Sequence, residues 1–288
     1  MAAYLFVVRK RVALFDCLNY KLGTMNSNHN DAIPRALFVA DSHFHVRRSA
    51  DEEQRLVSFV ALLDRFAGIP DLVLFGDIFD FWFDYPHFVM KGYDLLLDGL
   101  DRVRAAGSRL HFVGGNHDIW AAEYLHQRYG TAAGGGPLTL DLDGRHVFCI
   151  HGDGLLGRDI LYQAFRAVVR HPAGIWLGKT IHPEALFAFS SWLSGTSRSS
   201  DRDEISGIEV KAQRWLARNP NPPWDHLIMG HVHHAYTTTA GDRRLSTLGG
   251  WLDSPCYAIW RDGELEHCRA DSPPTSRIDT PPHSSAGS

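Results

Sequence analysis

Short blocks of apolar, β-prone residues recur along this chain, and several run straight into Asp, Asn or His. Residues 36–40 (ALFVA), 72–75 and 110–113 read as buried strands. After the first, Ser49-Ala50-Asp51-Glu52 has the capping-box pattern, and Leu56, Phe59, Val60, Leu63 and Phe66 follow at helical spacing. Tyr93, Leu96, Leu97, Leu100 and Val103 mark a second amphipathic helix that ends near Gly107. Strand, helix, strand, helix, strand predicts a parallel sheet with right-handed crossovers.

Beyond a short helix over residues 119–128 the pattern changes. Residues 138–142 and 146–150 flank Asp143-Gly144, a strong hairpin turn. Residues 158–193 read as helical and unusually apolar, divided by Pro172 and Pro183, and residues 204–218 as a further helix. Short strands are predicted over 227–229, 236–239, 245–248 and 257–260, with another hairpin turn at Asp262-Gly263. The two halves predict two sheets packed face to face with helices outside. The first 33 residues carry no firm pattern. Met25 precedes a polar run, so Met1 and Met25 are both candidate starts. The folded unit is expected over 34–269, with an insertion at about 158–200. The Ser-, Pro- and Thr-rich tail over 270–288 is expected to be disordered.

Composition narrows the partners. The formal charge of −4 gives no reason to expect nucleic acid. The four Cys (Cys17, Cys149, Cys256, Cys268) lie far apart without CxxC, which reads as free thiols in a reducing compartment. No apolar run reaches membrane-span length and no cleavage site is evident, so a cytoplasmic location is expected.

The chemistry lies in five clusters: Asp41-Ser42-His43, Gly76-Asp77-Ile78-Phe79-Asp80, Gly114-Gly115-Asn116-His117-Asp118, His151-Gly152-Asp153 and Gly230-His231-Val232-His233. Most follow an apolar block, where a strand ends and a loop begins, the edge at which open α/β sheets bind ligands. Asp41, His43, Asp77, Asn116, His151, His231 and His233 supply carboxylate, amide and imidazole donors for a two-metal hydrolytic site. Asp41 and His43 alternate by two, which on an extended segment points both to one side. Asp77 could bridge two cations with its two oxygens. Mixed N/O donors without thiolate suit Mn²⁺ first, or Fe²⁺ or Zn²⁺, rather than Ca²⁺. Asp118 and Asp153 read as supporting or turn residues, and Cys149 as core.

Taken in order, the five motifs resemble the calcineurin-like metallophosphoesterase superfamily, over about residues 36–268. The resemblance implies a four-layer α/β sandwich of two mixed β-sheets flanked by helices. It implies one metal held by Asp41, His43, Asp77 and His233, and another by Asp77, Asn116, His151 and His231. His117 matches the histidine that contacts phosphate and assists the leaving group. Asp80 matches the carboxylate that orients it.

A narrower resemblance rests on Gly76-Asp77-Ile78-Phe79-Asp80-Phe81-Trp82, on His151-Gly152-Asp153 with Asp159 and Tyr162-Gln163-Ala164-Phe165-Arg166, and on Leu248-Gly249-Gly250-Trp251. These stretches are similar to the UDP-2,3-diacylglucosamine hydrolase family of the lipid A pathway. The resemblance implies cleavage of a pyrophosphate bond, a helical cap over the site that takes acyl chains, and substrate contacts at Asp159, Tyr162 and Arg166. The best-known members carry Arg where this chain has His117, and Arg-Pro where His234-Ala235 follows His233. The cap segment interleaves many apolar residues with Arg158, Arg166, Arg170, Lys179 and Arg198, which suits a phosphorylated amphiphile and peripheral contact with an anionic inner membrane. Two alternatives stay open: a soluble metallophosphoesterase acting on another phosphodiester or nucleotide pyrophosphate, and a non-catalytic binding module. The bland reading of Asp159 is a helix N-terminal charge.

Overall fold

The computed structural model describes residues 33–85, 87–153, 155, 171–188, 207–219, 222–252 and 254–270. Contacts divide the chain between Ala32 and Ile33, and all described residues belong to the second unit. The expectations for residues 1–32, for 271–288 and for most of the cap lie outside the described residues.

In chain order the elements are β1 (Ala36–Val39), α1 (Ala50–Arg65), β2 (Asp71–Leu74), α2 (Asp94–Ala105), β3 (Arg109–Phe112), α3 (Ala122–Tyr129), β4 (Leu138–Leu142) and β5 (Arg145–Ile150). They continue with α4 (Pro172–Thr180), α5 (Ile208–Arg218), β6 (His226–Met229), β7 (Tyr236–Ala240), β8 (Arg243–Thr247), β9 (Cys256–Arg261) and β10 (Glu264–Arg269). One sheet runs β10-β9-β1-β2-β3, the other β4-β5-β6-β8-β7. The first is parallel across β1, β2 and β3, with β9 and β10 antiparallel at its edge. The second is parallel across β5, β6 and β8, with antiparallel β4 and β7 outside. Both are mixed sheets.

Alternation along the strands builds four layers. Leu37, Val39, Leu72, Leu74 and Phe112 pack against α1, α2 and α3. The intervening Phe38 and Val73 face the other sheet and meet Val147, Cys149 and Ile228. Leu227, Met229 and Leu245 point outward to Ala212 and Leu216 of α5. Successive strand side chains take opposite faces, so a strand buried on both faces reads as continuously apolar. Each fully buried Leu or Phe contributes roughly 1.5–3 kcal/mol.

Element bounds differ slightly from expectation. β8 begins at Arg243 rather than residue 245, because Ala240 pairs with Arg243 around Gly241, which sits at φ +64°. Two arginines hid this strand start; cross-strand pairing, not apolarity, sets it. α5 begins at Ile208, and residues 204–206 lie outside the described residues. No helix among the described residues is long and apolar enough to cross a membrane.

A buried polar chain bridges the two sheets away from the motif loops. His226 Nε2 lies 2.7 Å from Ser246 Oγ, Ser246 Oγ 2.7 Å from Thr237 Oγ1, and Thr237 Oγ1 3.2 Å from His267 Nε2 on β10. Burial pushes His226 down to about 3, with Arg244, His267 and Arg145 adding to the effect. Burial, with His234, pushes His267 down to about 4. Both rings are therefore neutral when folded and bind protons on unfolding below about pH 6.5. Stability is full above that pH and falls as pH drops toward the folded values, by up to about 1.4 kcal/mol per pH unit for each ring. Between pH 7 and pH 5 the unfolding free energy in urea should fall further in the wild type than in His267→Gln, because the raised His117 and His151 act in the opposite direction but are common to both proteins. Equal changes in the two proteins would show that His267 is not the neutral, buried group described.

Candidate metal centre

All five motif loops leave the carboxyl ends of strands or follow them closely. Asp41 and His43 follow β1, Asp77 follows β2, Asn116 and His117 follow β3, His151 follows β5, and His231 and His233 follow β6. Main-chain bonds stitch the first two loops together: Asp41 N–H donates to Gly76 O at 3.1 Å and His43 N–H to Asp77 O at 2.7 Å. His231 N–H reaches across from the second sheet to both Asp41 carboxylate oxygens, at 3.1 and 3.0 Å.

Backbone conformation singles out the same residues. Among the described residues, seven non-glycine residues have positive φ: Asp41, His43, Asp77, Asp143, His231, His233 and Asp262. Asp143 and Asp262 sit in hairpin turns, where Asp tolerates this region. The other five are proposed metal donors. The expectation that Asp41 and His43 share a side of an extended segment is corrected here: their φ values are +49° and +45°. A left-handed non-glycine residue costs of order 1–3 kcal/mol and persists where its surroundings over-determine it, which happens mostly at functional sites.

Side-chain atoms converge in three groups, each lying within 4.8 Å of one another: Asp41, His43 and His233; His43, Asp77 and His117; and Asp77, His151 and His231. Asp77 belongs to two of them. His151 Nδ1 donates to Phe75 O at 2.8 Å, which leaves Nε2 3.4 Å from Asp77 Oδ2 and 3.3 Å from Asn116 Oδ1. A backbone carbonyl on one ring nitrogen fixes the tautomer that offers the other to a metal. Asp41, Asp77 and His151 are almost wholly buried. Asp118 accepts from the Ile78, Phe79 and Gly115 N–H groups and so holds the second and third loops together, as a supporting residue does.

The site suits cations. Burial disfavours the Asp77 carboxylate, yet His151, His117 and His43 hold it well below the usual range. Burial also opposes charge on His151, but Asp77 and Asp41 push the imidazole up to about 10. Burial raises Asp41, with His233 and His151 opposing. Such closely packed carboxylates and imidazoles, all N or O donors, match the preferences of divalent Mn, Fe or Zn. Gly115 makes room for the set: a Cβ there would lie 2.0 Å from Asp77 Oδ1.

His117 stands beside this cluster. Its N–H donates to Asp77 Oδ1 at 2.9 Å and its Nδ1 to the Asp80 main-chain carbonyl at 2.9 Å. The Asp80 carboxylate is farther, with Oδ1 3.9 Å from His117 Nδ1. The nearer partner of the His117 ring is thus the carbonyl of Asp80. Asp159, Tyr162 and Arg166 lie outside the described residues. Of the cap, residues 171–188 are described, including α4, and a cavity of about 330 Å³ lies where α4 meets the body. Phe83, Ile119, Trp120, Ile175 and Lys179 are among its lining residues. Sequence reasoning passed over Phe83 and Trp120. Their signal was position alone, each coming three residues after Asp80 or His117.

Comparison with known proteins decides the family, since residues 34–235 match the family model of calcineurin-like phosphoesterases. The chain belongs to the calcineurin-like phosphoesterases. That match covers more than half the chain and takes in every motif from Asp41 to His233. Calcineurin-like phosphoesterases are metal-dependent hydrolases, and divalent ions belong to the site of this one. The chain is 28% identical to a UDP-2,3-diacylglucosamine hydrolase of Porphyromonas gingivalis, over 77% of this chain and 92% of the relative. It is 29% identical to the protein of that name from Xanthomonas campestris (75% and 91% covered). The corresponding protein of Aeromonas salmonicida is 26% identical (79% and 90% covered).

Proposed function

We propose that this phosphoesterase hydrolyses the pyrophosphate bond of UDP-2,3-diacylglucosamine. Water oxygen bonds to the uridylyl phosphorus, the P–O bond to the other phosphate breaks, and UMP and 2,3-diacylglucosamine 1-phosphate leave. The observation that carries this reading is Asp77 between two groups of imidazoles, with a cavity nearby whose apolar lining (Phe83, Ile119, Trp120, Ile175) is edged by Asp84, Glu123 and Lys179. The names of the relatives support the substrate.

In this reading Asp41, His43, Asp77 and His233 hold one divalent cation, and Asp77, Asn116, His151 and His231 the other, with Mn²⁺ first and Fe²⁺ or Zn²⁺ as alternatives. When bound, two such ions supply a polarised water and a clamp on phosphoryl oxygens. His117 does the rest from the protein side. Its Nδ1 is held by Asp80 O, and in this reading its Nε2 meets the reacting phosphate and stabilises charge on it or hands a proton to the departing oxygen. Burial disfavours an imidazolium at His117, but Asp77 and Asp80 outweigh it and raise its pKa.

Phe83, Trp120 and Ile175 receive an apolar arm of the substrate, at roughly 0.8 kcal/mol per buried CH₂. Trp176 and Leu177 on α4, Ile181 just after it, and Phe88 and Val89 in the β2–α2 connection are exposed. Tyr85 Oη donates to Ile181 O, which joins the two stretches. This surface supports peripheral contact with the cytoplasmic face of the inner membrane.

Phosphorus NMR on Mn²⁺-loaded protein with UDP-2,3-diacylglucosamine in detergent tests the reading. UMP and lipid phosphate should appear, EDTA should stop the reaction, and UDP-N-acetylglucosamine should remain intact. Cleavage of a nitrophenyl phosphodiester without cleavage of the lipid would reject the substrate and keep the hydrolase.

A further inference from the structure

Glu52 departs from the role its sequence predicts. In a capping box the third helical residue returns its carboxylate to the N-cap backbone N–H. Half of that box is present at α1, where Glu52 N–H donates to Ser49 Oγ at 3.3 Å. The other half is missing. Glu52 Oε1 instead accepts from His45, from its backbone N–H at 2.6 Å and from ring Nδ1 at 3.0 Å. A helix start that gives up one cap contact, worth about 1 kcal/mol, is using that carboxylate for something else.

The second nitrogen of His45 leads toward the site. Its Nε2 lies 3.3 Å from Asp80 Oδ2. The other Asp80 oxygen is 3.9 Å from both His43 Nδ1 and His117 Nδ1. The main chain of Asp80 carries the contact that orients His117, and Asp80 N–H in turn donates to Phe44 O at 2.9 Å, one residue before His45. Arg48 fixes the other side of His45, donating to its carbonyl at 2.8 Å and to Gly92 O at 2.6 Å. The line Glu52, His45, Asp80, His117 therefore runs without a gap from the start of α1 to the phosphate-facing ring. His45 is one-third exposed while the Asp80 side chain is nearly buried.

We propose that His45, braced by Glu52, is a positioning residue for His117 and acts through Asp80. The proposal rests on the role given to His117 under the proposed function. Neither His45 nor Glu52 touches the reacting atoms. They hold the Asp80 carboxylate on one side, so that its carbonyl keeps the His117 ring turned with Nε2 into the site. Groups bonded directly to a metal ligand typically cost tenfold to a hundredfold when lost, and the lower end is expected for His45 and Glu52, which stand farther out.

The test uses the full chain carrying His45→Ala or Glu52→Gln, each also made in a His117→Ala background. On a nitrophenyl phosphodiester with Mn²⁺, kcat should fall about tenfold in either single variant, with KM within about twofold and Mn²⁺ content unchanged. In the His117→Ala background neither change should cost anything further, because the ring they position is gone. Histidine-labelled nitrogen NMR of the metal-free protein should show the His117 ring signal moved in both variants. Losses that multiply with His117→Ala, or a His117 signal that stays in place, overturn the proposal. A moved His117 signal in a protein that cleaves no phosphodiester would reject the proposed function and leave the positioning role standing.

Discussion

Replacing Asp77 with alanine is expected to leave the protein with at most one Mn²⁺ per chain and no measurable turnover. Asp77 is the one carboxylate shared by two of the three donor groups, and it is almost wholly buried. Each of its oxygens is committed: Oδ1 accepts from the His117 N–H at 2.9 Å, and Oδ2 faces His151 Nε2 at 3.4 Å and His43 Nε2 at 3.8 Å. Removing it leaves imidazoles crowded in a low-dielectric site with less negative charge to offset a dication. The loss should exceed the roughly 10–100-fold typical of an outer supporting partner. Asp77→Asn keeps the volume and the His117 contact, and so isolates the charge. Metal analysis after dialysis against Mn²⁺ reads the outcome, with circular dichroism to confirm folding. Two ions per chain in Asp77→Ala would reject the shared role.

His117→Ala should do the opposite to metal and nearly the same to rate. His117 shares one donor group with His43 and Asp77, yet the proposed metal sets are complete without it. Mn²⁺ content should stay at the wild-type value while kcat falls by roughly 10²–10⁴, the usual worth of a positioned acid–base group. KM should change little, since an interaction made mainly in the transition state is lost equally from kcat and kcat/KM. Turnover within a factor of about three of wild type would remove His117 from the chemistry.

The layers and the donors were legible in the residues for different reasons. Val73 and Phe38 face the second sheet while Leu72, Leu37 and Val39 face helices, so strands covered on both sides appear as unbroken apolar runs. The donors were legible because each cluster follows such a run. Local conformation was not. Nothing in Asp41-Ser42-His43 announces two left-handed residues, because those angles are imposed by bonds to Gly76, Asp77 and His231 from distant parts of the chain. Glu52 misled for the same reason: its spacing from Ser49 is a local signal, and a contact with His45 outcompetes it. Phe83 and Trp120 carry no pattern of their own in the sequence, and only the placement of α4 across them makes the cavity.

The donors of each proposed ion come from both sheets. Asp41, His43, Asp77 and Asn116 hang from β1, β2 and β3, whereas His151, His231 and His233 hang from β5 and β6. Each proposed ion would therefore cross-link the halves of the sandwich, and its affinity would count as folding free energy as well. By mass action, a cation at a hundred times its dissociation constant adds about 2.7 kcal/mol against unfolding. The melting temperature of this chain should thus double as a gauge of metal occupancy, needing no substrate at all.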